Sequence, residues 1–372
     1  MKEKFLANSL YVHFPFCRHL CNYCDFFKRI PQSSGEVETF QNLLKGQFHS
    51  LQNLLKENSF EIAPLETLYF GGGTPSLWGA DGALFWSDFV KKSHLSFAVD
   101  YEFTMELNPG SWSEKDLEAW RLQGLNRISM GMQSLDPRFI KILDRVHDRD
   151  EVLKTLKMLN KSELNFSVDF ILGLPFSEEY KRDVISELEE VLSFQPKHLS
   201  LYILTVKSNY VHSKNLPSEE YIENEYLKVS EHLRKNNFIH YEVSNFALEG
   251  YKSRHNQKYW ELDSTLALGP SSTGFLNSAR LRFKWKEDFE PLLEPLEEAE
   301  INLEKCFLKL RTSEGIGTSF FSEQGEEKAI QLFQEWSKRG FGQVENKHFR
   351  PSAKGFLIMD SLINDLMSHK LL

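Results

Sequence analysis

Short apolar runs alternate with longer amphipathic segments over the first two thirds of the chain. Apolar runs of this length, closed by Gly, Pro or polar residues, predict buried strands. We place these strands at 10–14, 67–70, 101–106, 127–132, 166–172 and 198–204, with a short edge strand at 240–243. Apolar residues three and four positions apart predict helices at 37–56, 113–124, 149–161, 178–192 and 219–236. About six βα units in a row predict an α/β fold with a parallel sheet and right-handed crossovers.

The rhythm of strands and helices changes after about residue 247. The chain becomes polar and aromatic at 251–260, rich in Gly and Ser at 266–275, and acidic at 292–301. Residues 305–361 again show helical spacing, with a small hairpin predicted near 342–349. We therefore expect a larger domain at 1–247 and a smaller second domain at 248–372.

Composition and charge argue against several classes of protein. The chain has 372 residues, of which 41% are hydrophobic, so it can bury a sizeable core. Its net charge of -9 argues against a nucleic-acid-binding protein, because phosphate recognition needs a basic surface. No apolar stretch reaches the roughly 18 residues that predict a transmembrane helix, and the first residues lack the pattern of a signal peptide. We therefore expect a cytoplasmic location.

Three of the four cysteines, Cys17, Cys21 and Cys24, lie in one short segment, and the fourth is Cys306. Thiols this close together favour a metal site in a reducing compartment over a disulfide framework. Three thiolates on a cluster of four irons would leave one iron with an open position. A single zinc ion, with His13 or His19 as its fourth ligand, explains the same spacing. The spacing alone leaves both interpretations open.

The sequence around these cysteines resembles a known family. The segment YVHFPFCRHLCNYCDF, followed by GGGTPS, is similar to the heme-biosynthetic branch of the radical-SAM superfamily, the coproporphyrinogen III oxidase-like HemN/HemW family. The resemblance implies a partial (βα)6 barrel with a smaller, mostly helical, winged-helix-like C-terminal domain. It also implies that Cys17, Cys21 and Cys24 hold a [4Fe–4S] cluster, whose fourth iron binds S-adenosylmethionine.

Several polar residues follow the predicted strands and are candidates for a cofactor pocket. The glycine-rich turn at 71–75 is by itself only a tight turn, and it is not a P-loop because no Lys-Ser/Thr pair follows. Each of the four polar residues Glu106, Gln133, Arg145 and Asp169, taken alone, is better explained as a helix cap or a solvated charge than as a ligand contact. The family resemblance implies that together they line the S-adenosylmethionine pocket, with Tyr11, Tyr23, Gly72, Gly73, Thr74, Glu106, Gln133, Arg145 and Asp169 as its residues.

A second motif, RHNQKYW at 254–260, lies beyond the predicted barrel. From composition alone it would be a surface loop anchored by its Tyr and Trp. Its resemblance to the HNxxYW motif of HemW proteins implies heme as a further cofactor. His255 would then be an axial ligand to heme iron, with Tyr259 and Trp260 stacking on the porphyrin.

Phe26 separates the two branches of this family. HemN-type coproporphyrinogen dehydrogenases carry an additional cysteine at this position, two residues after the third cluster cysteine, whereas HemW proteins do not. The resemblance therefore implies a heme chaperone that delivers heme to apo-hemoproteins of respiration. It is compatible with a homodimer and with membrane association through the partners. The alternative hypothesis is an oxygen-independent coproporphyrinogen III dehydrogenase. A third hypothesis, a winged-helix nucleic-acid module, is disfavoured by the net negative charge.

Two places depart from the family pattern. Lys207 stands where an acidic residue usually follows a strand, and residues 269–273 replace a phrase that usually contains a histidine. Either departure could alter the expected porphyrin contacts.

Overall fold

A long, mostly parallel β-sheet organises the molecule. Within residues 4–33, 35–207 and 209–372, which the computed structural model describes, this sheet has nine strands. Its parallel part consists of β1 (Phe5–Phe14), β2 (Phe60–Gly72), β3 (Phe97–Leu107), β4 (Arg127–Gln133), β5 (Asn165–Leu172) and β6 (His198–Ile203). These strands lie side by side in chain order, and a helix separates each from the next. The predicted α/β fold with a partial (βα)6 barrel is confirmed.

The helices that follow the strands cover the outer face of the sheet. They are α1 (Gly35–Glu57), α2 (Gly79–Lys92), α3 (Glu114–Arg121), α4 (Pro137–Ile142), α5 (Arg149–Ser162), α6 (Val184–Leu192) and α7 (Glu219–Lys235). The expected start of α3 is confirmed, because Ser113 and Asp116 form a capping box there. Across the part of the chain that the structure describes, no helix is long and apolar enough to cross a membrane.

Later segments complete the two edges of the sheet. β7 (Ile239–His240) and β8 (Asn245–Ala247) add antiparallel strands beyond β6. A short helix, α8 (Arg254–Trp260), leads to β9 (Leu266–Leu268), which pairs in parallel with β1. Residues beyond 247 thus contribute to the main sheet and its hydrophobic core. The domain boundary at 247 stays a prediction, and the packing favours a division nearer the start of the second core.

The second hydrophobic core lies in the last seventy or so residues and includes Cys306, Phe333, Trp336 and Phe349. A small sheet of β10 (Thr273–Leu276), β11 (Leu281–Lys284) and β12 (Leu292–Pro295) precedes it. The core itself is built by α9 (Glu298–Leu310), β13 (Ile316–Gly317), α10 (Glu323–Lys338), β14 (Gly342–Glu345), β15 (His348–Pro351), α11 (Ala353–Leu357) and α12 (Met359–Ser368). The predicted hairpin is confirmed as β14 paired with β15, in a mostly helical unit.

Helices α6 and α2 both differ from the sequence-based expectation. The helix predicted from 178 begins only at Val184, because the fully buried Arg182 pairs with Glu187 and Asp183 caps the helix. Helix α2 was not predicted, since Gly79 and Gly82 lower its intrinsic helix propensity. Its buried Trp86 and Phe89 stabilise it through tertiary contacts.

Side chains alternate along the parallel strands in a way that positions the site. The outward-facing residues, such as Leu68, Phe103 and Ile128, are apolar and pack in the main core. The residues between them are polar yet buried, among them Ser9, Thr67, Glu102, Thr104, Arg127, Ser129, Ser167, His198 and Ser200. The interior of the barrel is therefore a polar surface whose groups must find hydrogen-bond partners.

Glu242 lies buried where the turn between β7 and β8 meets the C-terminal unit. The backbone N–H of Ser244 donates to its Oε2 at 3.0 Å. Within the described residues its Oε1 has no hydrogen-bond partner. Burial raises the pKa of this carboxyl to about 7. The folded protein thus favours the protonated acid more strongly than the unfolded chain does.

This raised pKa predicts that a neutral side chain at position 242 increases the free energy of unfolding, and that the increase depends on pH. In the wild type, the free energy of unfolding should fall as pH rises from about 4.5 to about 7. Over this range the Glu242 carboxyl ionises in the unfolded chain but stays largely protonated in the folded protein. Glu242→Gln should therefore raise this free energy by about 1–3 kcal/mol at pH 8 and leave it nearly unchanged at pH 4.5. Urea unfolding at both pH values measures this, with exposed Glu249→Gln as the control. An equal effect at both pH values would contradict it.

Candidate cofactor site

The cysteine segment is a loop fixed at the carboxyl end of β1 and β2. Its base is closed by two backbone hydrogen bonds, from Cys17 N–H to Arg29 C=O at 2.9 Å and from Arg29 N–H to Pro15 C=O at 2.8 Å. The turn after β2 holds it from the other side, since Thr74 N–H donates to Phe16 C=O at 2.9 Å. The loop therefore has a defined position at the strand ends, where parallel α/β folds build their sites.

The three loop thiols all face one cavity. Cys17 is buried, whereas Cys21 and Cys24 are partly exposed. The Thr74 hydroxyl donates to Cys17 Sγ at 3.4 Å, and the Arg145 guanidinium lies 3.8 Å from Cys21 Sγ. Burial raises the pKa values of Cys17 and Cys21, so in the metal-free protein these thiols stay protonated at neutral pH. Binding of a metal would displace those protons.

The structure separates the fourth cysteine from this group. Cys306 lies in the C-terminal core with no exposed surface, and burial raises the pKa of its thiol to about 12. Among residues 4–33, 35–207 and 209–372, no three His, Cys, Asp or Glu side chains lie close enough together to hold a single metal ion.

The cavity in front of the thiols has a volume of about 400 Å³. Most of the residues predicted for the cofactor pocket line it together with the three cysteines, namely Tyr23, Gly72, Gly73, Thr74, Glu106, Gln133, Arg145 and Asp169. They come from the cysteine loop, from β2, β3, β4 and β5 or the turns after them, and, for Arg145, from the segment between α4 and α5, so the fold brings together residues that are far apart in sequence. Tyr11 does not line the cavity and lies deeper in the barrel.

Arg145 connects the cysteine loop to the strand ends. Its Nη1 donates to the Tyr23 hydroxyl at 3.2 Å, and its Nη2 donates to Asn108 Oδ1 at 2.6 Å and to Gly131 C=O at 2.8 Å. Its buried Nε has no hydrogen-bond partner within the described chain. Arg145 also lines the cavity, so its guanidinium suits a ligand with an anionic group, such as a carboxylate.

Two carboxyl groups, those of Glu106 and Asp169, line the same cavity. Glu106 accepts from the Tyr69 hydroxyl and from Gly72 N–H, both at 3.0 Å. Asp169 accepts from the Ser129 hydroxyl at 3.1 Å. Burial, with the charge of Asp169 as a second cause, raises the pKa of Glu106 to about 7. Such a pair suits hydroxyl or ammonium groups of a ligand, which would restore the hydrogen bonds that water supplied.

The glycines of the turn after β2 make room for the cysteine loop. A Cβ on Gly73 would lie 2.7 Å from Phe16 C=O, and one on Gly72, whose φ is +110°, would lie 2.6 Å from the His13 ring. The lack of side chains at these two glycines therefore allows a close approach between the turn and the chain itself. Their contact with S-adenosylmethionine stays a prediction.

Asn108 is a site residue that the sequence analysis missed. Its Nδ2 donates to the Thr74 hydroxyl at 2.9 Å while its Oδ1 accepts from Arg145. It thus ties the glycine turn to the guanidinium. Its position directly after β3, in Asn-Pro-Gly, was the available signal, but that tripeptide is equally typical of a simple turn.

The RHNQKYW motif forms helix α8 and lies away from the cavity. His255 is buried, with 1% of its surface exposed. Its Nδ1 lies 2.9 Å from the Thr67 hydroxyl and 3.2 Å from that of Ser9, and its Nε2 lies 3.2 Å from the Tyr259 hydroxyl. Burial, with Arg127 and Lys258 as further causes, lowers its pKa to about 3. Both ring nitrogens of this neutral imidazole are engaged within the protein.

The aromatic residues of the motif differ in exposure. Tyr259 keeps 39% of its surface exposed although its hydroxyl points to His255, and Trp260 is partly buried. In this conformation His255 is not accessible to heme iron, and an axial role would require its hydrogen bonds to break. The motif is a helix and not the surface loop that its composition suggested.

One of the two departures from the family pattern lies at the mouth of the cavity. Lys207 forms an ion pair with Asp25, the residue after Cys24. The other, at 269–273, begins after β9, where Gly269 N–H donates to Gln47 Oε1 at 2.8 Å. Lys207 thus brings a positive charge to the edge of the cysteine loop.

Comparisons with known proteins agree with this geometry. Residues 11–188 match the family model described as the Radical SAM superfamily. The heme chaperone HemW of Lactococcus lactis subsp. lactis (strain IL1403) is 33% identical over 286 residues, which cover 74% of this chain and 71% of that protein. The chain belongs to the HemW family of radical-SAM proteins. The heme chaperone HemW of Escherichia coli (strain K12) is 30% identical over 72% of this chain and 69% of its own length.

Two further relatives extend the match over almost the whole chain. Radical S-adenosyl methionine domain-containing protein 1, mitochondrial, of Bos taurus is 30% identical over 97% of this chain and 87% of that protein. The structure of coproporphyrinogen III oxidase (HemN) from Escherichia coli superposes with a TM-score of 0.78, covering 97% of this chain and 90% of that one. At 19% identity this second likeness shows the shared fold.

Membership in the radical-SAM superfamily implies a [4Fe–4S] cluster and S-adenosylmethionine, and the residues present fit both. Three thiols face one cavity, which suits a four-iron cube with one iron left open. Arg145, Glu106 and Asp169 also line the cavity, so a guanidinium could pair with the carboxylate of an amino acid and the two carboxyl groups could accept hydrogen bonds from its amino group or from hydroxyls. The family thus decides for the cluster over the zinc site that the spacing had left open.

The cluster assignment predicts a selective loss of iron. After anaerobic reconstitution, the wild type should hold about four irons per chain, and replacing Cys17, Cys21 or Cys24 by Ala should abolish this. Cys306→Ala is the matched control, because its buried thiol lies in the other core and should keep the iron content unchanged. Iron and sulfide analysis measures the result. Stoichiometric zinc without iron in freshly isolated protein would contradict the assignment.

The Arg145 geometry predicts a loss of cofactor affinity without loss of the cluster. Arg145→Ala removes a charged donor, so the dissociation constant for S-adenosylmethionine should rise about ten- to hundredfold, equivalent to about 1.5–3 kcal/mol. Calorimetric titration of the reconstituted protein measures it. Arg149→Ala, which removes an arginine paired with Glu190 outside the cavity, should leave the affinity unchanged. Equal affinities for the two variants would refute this role.

Proposed function

We propose that this protein is a heme chaperone that carries a [4Fe–4S] cluster and S-adenosylmethionine in the cavity and delivers heme to apo-hemoproteins. The observation that carries the proposal is the identity of 33% with a HemW heme chaperone over most of both chains. The residue at position 26, which is Phe and not an additional cysteine, supports the same branch of the family.

The residues that would hold the cluster and its cofactor follow from the cavity. Cys17, Cys21 and Cys24 would supply the thiolates, and Arg145 would bind the cofactor's carboxylate. When bound, the cluster and S-adenosylmethionine supply one-electron chemistry that side chains lack. The protein's own contribution is to orient the ligands and limit their contact with water.

The mouth of the cavity offers apolar surface to a porphyrin. Phe26 has 71% of its surface exposed and Val146 has 62%, and both line the cavity. Exposed apolar residues grouped at a cavity mouth are typical of a binding surface. Arg18, Lys28 and Lys207 lie at or near the same rim and would complement the carboxylates of heme.

The sequence-based assignment of heme to His255, Tyr259 and Trp260 stays a prediction. The buried position of His255, with both ring nitrogens engaged, argues against direct ligation in this conformation. We therefore favour the cavity mouth as the first contact of heme with the protein.

The proposal predicts heme binding without turnover of a porphyrinogen. Heme added to the reconstituted protein should give a shifted Soret band and should then move to an apo-hemoprotein, which a second absorbance change records. Phe26→Ala should weaken heme binding by about threefold to thirtyfold, since burying a Phe contributes roughly 1.5–3 kcal/mol and only part of it is at stake here. Exposed Leu84→Ala, on α2, is the matched control.

One assay distinguishes the chaperone from the alternative function, a coproporphyrinogen III dehydrogenase. Incubation with coproporphyrinogen III, S-adenosylmethionine and a reductant under anaerobic conditions should yield no protoporphyrinogen IX. Its formation over several turnovers would overturn the chaperone proposal and favour the dehydrogenase.

A further inference from the structure

The position of α8 within the barrel assigns its motif a role that heme ligation does not explain. Two of its backbone N–H groups, those of Arg254 and His255, donate to the buried Glu102 carboxylate at 3.1 and 3.0 Å. The His255 side chain reaches the hydroxyls of Ser9 and Thr67. Helix α8 therefore contacts three neighbouring strands, β3, β1 and β2, from inside the barrel.

These contacts lie at the opposite end of the barrel from the cavity. Ser9, Thr67 and Glu102 each lie five residues before the last residue of their strand. At about 3.3 Å per residue, they are roughly 16 Å below the strand ends that carry the cavity. Register confirms that they form one level, since Thr67 is the partner of both Ser9 and Glu102.

Two chains of contacts lead from His255 up to the cavity. In the first, the His255 ring stacks on Tyr69 with a centroid distance of 5.2 Å, and the Tyr69 hydroxyl donates to Glu106 at 3.0 Å. Glu106 in turn accepts from Gly72 N–H in the glycine turn. This chain ends at a carboxylate that lines the cavity.

The second chain ends in the cysteine loop. His255 also stacks on Tyr11 at 6.3 Å, and the Tyr11 hydroxyl lies 3.2 Å from His13 Nδ1. The other ring nitrogen of His13 lies 2.8 Å from Phe27 C=O, three residues after Cys24. Tyr11, which does not line the cavity, thus acts on it through the loop.

We propose that α8 closes the floor of the barrel and that His255 is a positioning residue that sets Tyr69 and Tyr11, and through them Glu106 and the cysteine loop. This inference rests on the proposed function only for the identity of the ligand in the cavity. The low pKa of His255 fits this role, because a neutral imidazole supplies one donor and one acceptor to fixed neighbours.

The test measures S-adenosylmethionine affinity and heme binding separately on the reconstituted full-length protein. His255→Ala and Tyr69→Phe should each weaken S-adenosylmethionine binding about three- to tenfold, the size of one net hydrogen bond. Both variants should keep the wild-type iron content and the Soret band of bound heme. Tyr101→Phe is the matched control, because it removes a 3.0 Å hydroxyl bond to Gly124 C=O outside the cavity wall.

A double variant tests whether the two residues act through one chain of contacts. His255→Ala combined with Tyr69→Phe should weaken binding by less than the product of the single effects, because both break the same path. Should His255→Ala fail to fold, Tyr259→Phe replaces it, since it removes only the hydroxyl next to His255 Nε2. Losses that multiply would contradict a shared path.

Two results would overturn the positioning role. One is an affinity for S-adenosylmethionine in His255→Ala equal to that of Tyr101→Phe. The other is loss of the Soret band in His255→Ala with unchanged S-adenosylmethionine binding, which would make His255 a heme ligand. A wild type that binds S-adenosylmethionine but no heme would instead refute the proposed function and leave the affinity test intact.

Discussion

Polar side chains buried inside a barrel need hydrogen-bond partners, and this requirement governs the structure described here. The inward residues of the parallel strands are Ser, Thr, His, Arg and carboxylates, where many barrels place aliphatic side chains. Helix α8 satisfies the lower level through Glu102 and His255. At the upper level, Arg145, Glu106 and Asp169 line the cavity, where their polar groups can also bind a ligand. The same constraint thus explains both the closed floor and the receptive cavity.

Much of the fold could be predicted from the sequence because strand periodicity carries that information. Glu106 lies at a predicted strand end, and parallel strands bring such ends to one edge, but the assignment of Glu106 and Asp169 to the cavity depended on the family resemblance. Asn108 could not be distinguished from a turn residue, because its role depends on Thr74 and Arg145, which are distant in the chain. Helix α2 was missed for a related reason, as tertiary packing of Trp86 outweighs its glycines.

The role of the RHNQKYW motif could not be predicted from the sequence alone. A histidine followed by aromatic residues is equally suited to a heme ligand and to a buried, hydrogen-bonded core position. Only the fold decides which polar groups surround it, and here Ser9, Thr67 and Tyr259 engage both nitrogens of His255. If the motif closes the floor of the barrel, the cysteine loop and the cavity mouth are the exposed parts of the proposed site.

If the cysteine loop holds a cluster with one open iron, S-adenosylmethionine bound at the strand ends would meet that iron in a single site. Electron–nuclear double resonance on the reduced cluster tests this directly, with S-adenosylmethionine labelled with ¹⁵N at its amino group and ¹⁷O at its carboxylate. We expect hyperfine coupling from both labels, since the amino group and the carboxylate would both bind the open iron. A reduced cluster that shows coupling to neither label at saturating S-adenosylmethionine would contradict it.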